Sequence, residues 1–240
     1  MRTTVFAAGL AVAALALSAQ DASAQLVNLG PGSFTPAASV ITFSEPGYGL
    51  GTTDPVYTFL GQTVSFGEFF TGQVVSGGSV RTLSDHTPTV GAALTLNQNG
   101  NTVIAEDGAN PTSPILSGTP LYNGPISMLF SAPVAAVGLS GGFFDAVGAT
   151  TIEAYDSMGN VLGSITNSQT GVEFYGLFDA GGSNIAGISF FITGNEPAGF
   201  AIDNVTFGDA SVVVGTPEPA SLALFGLALA GIGMARRRRG

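Results

Sequence analysis

Short apolar runs punctuated by glycine and proline limit what this chain can fold into more than any other feature. The 240 residues include 35 Gly and 13 Pro, spread along the whole sequence. Between residues 25 and 215 no stretch keeps a helical period for long, whereas apolar and polar residues alternate in segments such as 126–130 and 188–192. Because alternate side chains of a strand point to opposite faces, this pattern predicts an all-β body.

The predicted strands are short, and turn residues separate them. Segments 151–155 and 161–165 flank the turn-forming sequence Asp-Ser-Met-Gly-Asn, which predicts a β-hairpin. Further strand candidates are residues 40–43, 56–60, 63–66, 92–96, 102–105, 134–139, 172–178 and 200–207. We expect a single jelly-roll-like antiparallel β-sandwich over residues 25–210, with the Gly- and Pro-rich stretch 108–125 as a long loop inside it.

The first 24 residues have the pattern of a secretory signal peptide. Met1-Arg2 supplies a positive start, residues 5–17 are apolar, and Ala22-Ser23-Ala24 is a small-x-small cleavage site before Gln25. The pattern predicts a signal-peptide helix, export through the Sec translocon, and removal by signal peptidase.

Residues 211–240 have a different three-part order. After a short linker, Pro217-Glu218-Pro219 precedes the uncharged apolar stretch 220–235, and Arg236, Arg237, Arg238 and Arg239 follow. As a helix the apolar stretch measures about 24 Å, close to the ~30 Å hydrocarbon core when the arginines snorkel. We expect a C-terminal transmembrane helix with its arginines in the cytoplasm and the body outside.

This tail resembles the PEP-CTERM sorting signal of Gram-negative bacteria, in the order and spacing of its motif, apolar stretch and arginines. The resemblance implies that a membrane-embedded exosortase recognises the tail and cleaves it near Pro217-Glu218-Pro219. The inner membrane would then be a transient anchor, and the mature protein would reach the cell surface or the medium. The resemblance also implies an association with exopolysaccharide and biofilm-forming bacteria.

Charge and cysteine content exclude several classes of partner and of stabilising link. Between residues 25 and 215 there are fourteen Asp and Glu, whereas Arg81 is the one Lys or Arg. Such a field repels nucleic acid and is compatible with divalent cations. The chain has no cysteine, so disulfides cannot stabilise it after export.

Two predicted strands resemble those of galactose-binding-like jelly rolls. Residues 200–207 include Ile-Asp-Asn-Val, like the closing strand of carbohydrate-binding modules with that fold, and Phe43-Ser44-Glu45 is similar to their first strand. The resemblance implies a structural calcium ion held by Asp203 and Glu45. Ser44 is a departure, because it stands where the family has its acid.

The residues offer little for catalysis. Residues 138–142 fit Gly-x-Ser-x-Gly, but no helical pattern follows, so we interpret Ser140 as a turn residue. His86 lies in a polar, Pro-bounded segment and is interpreted as an exposed loop residue. Four acids that could form a hydrolytic pair are interpreted as solvent-facing: Glu68, Asp145, Glu153 and Glu173.

The sequence therefore predicts a non-enzymatic exported surface or extracellular protein with a structural or interaction role. Two alternatives stay open: a calcium-stabilised carbohydrate-binding module, and a secreted glycoside hydrolase with paired carboxylates. The chain has no Trp to stack on a sugar ring, so the aromatic candidates are Tyr48, Tyr57, Tyr122, Tyr175, Phe143 and Phe144.

Overall fold

The computed structural model describes residues 26–107 and 114–215, and strands are the main secondary structure of these ranges. Fifteen strands lie in them: β1 (Leu26–Asn28), β2 (Ser39–Ile41), β3 (Val56–Phe59), β4 (Gln62–Gly67), β5 (Val74–Gly77), β6 (Arg81–Asp85), β7 (Thr102–Ala105), β8 (Ile115–Gly118), β9 (Ile126–Val134), β10 (Ala136–Phe144), β11 (Thr150–Tyr155), β12 (Val161–Thr166), β13 (Gly171–Asp179), β14 (Ile185–Ile192) and β15 (Ala201–Gly208). The helical turns in the same ranges are two short 3-10 turns, Pro31–Ser33 and Ala210–Val212. Within them no helix is long and apolar enough to cross a membrane.

Two antiparallel sheets form the sandwich. The first sheet has the order β1-β13-β10-β15-β8-β7, with β2 also paired to β15, and the second has the order β12-β11-β14-β9-β4-β3. Eight of these strands, β2 and β9 to β15, form two four-stranded sets: β2-β15-β10-β13 in the first sheet and β9-β14-β11-β12 in the second. When the eight are renumbered one to eight in chain order, the two sets read 1-8-3-6 and 2-7-4-5. This is the strand order of a jelly roll, so the predicted fold class is confirmed.

The core lies between the sheets and is rich in aromatic side chains. Along β9 and β14 the alternate Ile, Met and Phe side chains face inward, as the period-two pattern predicted. Phe190 is central: its ring centroid lies 5.1 Å from that of Tyr175, 4.5 Å from that of Phe200 and 6.0 Å from that of Phe144. Tilted and edge-on contacts of this kind add to the stabilisation from burial alone.

A third layer covers part of the outer face of the second sheet. It consists of residues 68–97, called the covering segment below, and includes the β5–β6 hairpin. Its Phe70 and Leu94 pack on Tyr155, and its Phe69 and Leu83 pack on Phe191. This layer explains why Ser127 and Ser189, which face away from the main core, are fully buried.

The structure corrects several strand predictions. Residues 92–96 form no strand; apart from a single bridge between Phe70 and Leu96, they pack by side chains and irregular backbone hydrogen bonds. The stretch 108–125, predicted as a loop, contains β8. Strands β1, β5 and β6 were not predicted, because they are short and have no alternating apolar pattern. Val213 bridges to Phe34, so residues just beyond 210 pack on the body.

Candidate functional site

The residues of the predicted processing signals lie outside the described ranges. These are Ala22, Ala24 and Gln25 at the signal cleavage site, and Pro217, Glu218, Pro219 and Arg236 to Arg239 in the tail. Their predicted roles are therefore supported by the sequence alone.

Asp203 lies in a distorted part of β15. The pairing of β10 with β15 shifts register between Gly138 and Ser140, and Asn204 has a positive φ of 50°. Asn tolerates this conformation better than most residues, and the irregularity turns Asp203 out of the regular pleat. The Asp203 carboxylate is buried and accepts hydrogen bonds from the backbone N–H of Asn204 at 2.7 Å and from its Nδ2 at 3.0 Å.

Glu45 lies near enough to this carboxylate for its negative charge to act on the pKa of Asp203. The β2–β15 register pairs Ile41 with Val205, so the chain passes Asp203 as it leaves β2 toward Glu45. Burial raises the pKa of Asp203 to about 6, the Asn204 N–H opposes this shift, and the negative charge of Glu45 adds to it. Glu45 also contributes to the raised pKa of Tyr57, after the larger effect of burial.

One feature of this pair fits a bound cation. Glu45 Oε1 accepts hydrogen bonds from the N–H and hydroxyl of Thr42, but its buried Oε2 has no hydrogen-bond partner among the described residues. Calcium takes six to eight oxygen ligands. The two carboxylates would supply some of these ligands, and backbone carbonyls and water would supply the others. Within residues 26–107 and 114–215 no three His, Asp or Glu side chains cluster in a way that could hold a metal ion.

Most of the other acids already accept backbone hydrogen bonds. Ten of the fourteen carboxylates in the described ranges take at least one backbone N–H: Glu45, Asp54, Asp85, Asp145, Asp156, Glu173, Asp179, Glu196, Asp203 and Asp209. A carboxylate that satisfies a turn in this way is held in place by the fold. Six of these ten contacts span two to five residues, so turns explain part of the acidic composition of the body.

The prediction that the four candidate acids face solvent is wrong for two of them. Glu68 is fully buried and its Oε1 lies 2.9 Å from Arg81 Nη1, although this ion pair does not have the angle of a hydrogen bond. Burial raises the pKa of Glu68 to about 7; Arg81 opposes this shift and Asp54 adds to it. Glu153 is also buried, and it pairs with His86.

Asp145 contacts Glu196, an acid that no sequence motif singled out. Both oxygens of the buried Glu196 accept the backbone N–H of Asp145, at 2.9 and 3.1 Å. Burial raises the pKa of Glu196 to about 7; backbone N–H groups of Asp145 and Ala146 oppose this, and the adjoining Asp145 carboxyl adds to it.

The interpretation of Ser140 as a turn residue is also corrected. Ser140 lies inside β10, paired with Phe174 on one side and Asp203 on the other. A nucleophile elbow requires a sharp turn between a strand and a helix, and neither is present at this position.

Three of the six candidate sugar-stacking rings are in the core: Tyr57, Tyr175 and Phe144 are buried. Phe143 is exposed, and with Tyr122 it lines a cleft of about 120 Å³. That volume is small beside the ~300–1,000 Å³ of small-ligand sites. Tyr48 packs on Tyr57 with a centroid distance of 4.4 Å.

A larger groove lies on the outer face of the second sheet, beside the covering segment. Its volume is about 410 Å³, and the side chain of His86 at its wall is 48% exposed. His86 Nδ1 lies 2.7 Å from Glu153 Oε1, and the imidazole stacks on Phe191 with an interplanar angle of 18° and a centroid distance of 5.6 Å. His86 is in a loop, as predicted, but no sequence pattern indicated Glu153 or Phe191 as its partners.

Hydroxyl groups line the rest of this groove. Cross-strand pairing of β11 and β12 places Thr151 opposite Thr166 and Glu153 opposite Ser164. Thr193 follows β14, and its hydroxyl lies 3.1 Å from that of Thr151. Thr82, on β6, completes the set.

Comparison with known proteins identifies the sorting motif in the tail. Residues 216–239 match the PEP-CTERM protein-sorting motif. No curated protein matches the chain. Among solved structures, the enzymatically active domain of bacteriophage CBA120 tailspike protein 4 aligns with 21% identity and a TM-score of 0.28. The alignment covers 45% of this chain and 17% of the tailspike chain, and similarity at that level supports no functional argument.

The motif implies that this is an exported protein with a C-terminal sorting region that exosortase recognises. The resemblance drawn from Pro217-Glu218-Pro219 and the arginines is thus confirmed for the tail.

Proposed function

We propose that, once exosortase has processed the tail, the β-sandwich acts at the cell surface or in the medium as a non-enzymatic protein that associates with extracellular polysaccharide. The observation that carries this proposal is the sorting motif at residues 216–239. The Sec translocon, signal peptidase and a transient stay in the inner membrane are the further steps that this route requires.

The state of the carboxylates supports a non-enzymatic role. Ten of them take backbone N–H groups, which hold these carboxylates in structural contacts. His86 has no Ser or Thr hydroxyl within hydrogen-bonding distance among the described residues.

A second candidate function is a calcium-stabilised carbohydrate-binding module. The unpartnered Oε2 of Glu45, beside the buried Asp203 carboxyl, favours it. In this version the ion would be a structural element, holding the turn after β2 against β15, and the glycan would bind elsewhere.

The proposed function is tested by fractionating cells that export the chain. The wild-type protein is expected in the polysaccharide fraction at reduced mass, and it should become soluble in a strain that makes no exopolysaccharide. Replacing Pro217-Glu218-Pro219 with alanines should leave a full-length, membrane-bound form. Normal release of that variant would contradict exosortase processing. Release of the wild type without retention by polysaccharide would contradict the association alone.

A further inference from the structure

The groove between the covering segment and β12 offers an array of uncharged hydroxyls. Thr151 with Thr166, and Glu153 with Ser164, form two successive cross-strand rows on one face of the sheet. Thr151 and Glu153 form the buried floor, whereas Ser164 and Thr166 on the edge strand are exposed. Hydroxyls both donate and accept hydrogen bonds, so this row is complementary to a ligand that carries a row of hydroxyls.

His86 adds an oriented nitrogen to this array. His86 Nδ1 faces the Glu153 carboxyl group, and Nε2 is left for other contacts. No described residue forms a hydrogen bond with Nε2. The stack on Phe191 and the bond to Glu153 fix the ring, so little side-chain entropy is lost when a ligand binds.

The charges in and around the groove indicate which class of ligand it can bind. Glu153 and His86 are paired with each other, the other polar groups of the groove are neutral, and the body around it is strongly acidic. An anionic ligand would be repelled by this field, and a cation would find one carboxylate that is already paired. A neutral polyhydroxylated ligand meets neither difficulty, and the volume of about 410 Å³ is within the range of small-ligand sites.

We propose that this groove is a binding site for a neutral saccharide, with His86, Ser164 and Thr166 as its contact residues. The inference rests on the proposed association with polysaccharide and assigns it to one face of the sandwich. Glu153 is a positioning residue, because it orients His86 from below.

The architecture allows the side chain of His86 to be tested apart from the anchoring of its loop. The backbone carbonyl of His86 accepts hydrogen bonds from Gln73 Nε2 and from the Tyr155 hydroxyl, both at 2.8 Å. His86→Ala keeps this carbonyl, so the covering segment stays attached. A matched control exists at the opposite edge of the same sheet, where Thr58 and Thr63 form another cross-strand hydroxyl pair 3.4 Å apart.

The experiment is calorimetric titration of the full chain, in a detergent without a sugar headgroup, with neutral malto-, cello- and mannohexaose. At least one is expected to bind, and His86→Ala and the double variant Ser164→Ala/Thr166→Ala should each weaken it about tenfold or more. Thr58→Ala/Thr63→Ala should stay within about twofold of wild type. Thermal melts of all variants show whether the fold is intact.

Each other outcome overturns the inference in a distinct way. If the groove variants bind as wild type does, the site lies elsewhere and the proposed function stands. Binding of hyaluronan or alginate oligosaccharides in place of the neutral hexaoses would show that the ligand class is wrong. If neither set binds, and the exported protein is also released from the polysaccharide fraction, the inference and the proposed function fail together.

Discussion

Asp203 is a carboxyl group in a position where a charge is unfavourable. Its pKa is raised to about 6, mainly by burial and in smaller part by the negative charge of Glu45. Two acids whose negative charges repel are held together more easily when a cation lies between them. The unpartnered Oε2 of Glu45 and the effect of Glu45 on the pKa of Asp203 are the observations that support the calcium hypothesis.

The calcium hypothesis predicts a specific pattern of melting temperatures. Calcium at about 100 times its Kd would stabilise a one-site protein by about 2.7 kcal/mol, so the wild-type Tm should be higher in calcium than in chelator. Asp203→Asn should abolish this difference, because the amide keeps the contact with the Asn204 N–H but loses the charge. Differential scanning calorimetry in the two buffers measures it.

Asp156→Asn is the control for that experiment. Asp156 also accepts a nearby backbone N–H, at 2.8 Å from Met158, but it lies in the turn between β11 and β12. This variant should keep the full calcium response. An equal loss of Tm for Asp203→Asn in calcium and in chelator would mean that Asp203 acts only as a hydrogen-bonding residue.

At the scale of elements, one buried amide, that of Gln73, links the covering segment to the second sheet by hydrogen bonds. Gln73 Oε1 accepts the Phe70 N–H at 2.7 Å, while Nε2 lies within hydrogen-bonding distance of the His86 carbonyl, the Tyr155 hydroxyl and the Ser189 hydroxyl. These contacts join the segment to itself and to two strands of the second sheet. A buried network of this kind is costly to leave half satisfied.

Gln73→Ala is therefore expected to loosen the covering segment more than the sandwich. Several buried polar groups lose partners, which destabilises the segment by about 2–3 kcal/mol. Hydrogen exchange should become faster across residues 68–97. It should remain slow in β10 and β13, because these strands pair with each other in the first sheet, which the covering segment does not cover. The conservative Gln73→Glu variant keeps one acceptor and serves as a control of intermediate effect. Uniformly faster exchange in both sheets would show that the segment and the sandwich unfold as one unit.

The elements that could be predicted are those whose side chains repeat with the period of a strand. Segments 126–130 and 188–192 alternate because one face meets the main core, and their prediction is confirmed. The hairpin around residues 156–160 is likewise confirmed by the β11–β12 register. Both features are local, so a single sequence contains the information for them.

What was missed depends on contacts between distant residues. The β5–β6 hairpin is mostly exposed and has no apolar alternation, so its strands have no signature. Glu153 and His86 are 67 residues apart, and they meet only because the covering segment folds back over the second sheet. Glu45 and Asp203 are further apart still, and they were paired through a family resemblance and not through any local pattern.

At the scale of the whole molecule, burial has left three acids with raised pKa values. These are Glu68 and Glu196, at about 7, and Asp203, at about 6. Because each value lies above the ordinary 4.5 or 3.8, protonation favours the folded state. The resulting stability is complete below about pH 4 and is lost as the pH rises through 6 to 7. In chelator, where no cation pairs with Asp203, thermal stability should therefore fall between pH 5 and pH 8, and a Tm that rises over this interval would contradict the assignment.

Glu196→Gln isolates one of these contributions. The shift from 4.5 to about 7 corresponds to about 3 kcal/mol at roughly 1.4 kcal/mol per pKa unit, so the neutral amide should raise the Tm at pH 8 and leave it nearly unchanged at pH 5. The Gln carbonyl can still accept the Asp145 N–H, which keeps the turn in place. Glu173→Gln is the matched control, since that half-buried acid also accepts backbone N–H groups, and no gain is expected at pH 8. The contrary result would be a loss of Tm for Glu196→Gln that is equal at both pH values. It would mean that the carboxylate is needed to hold the 145–148 turn against residues 194–200. Burial of its charge would then not limit the stability of the sandwich.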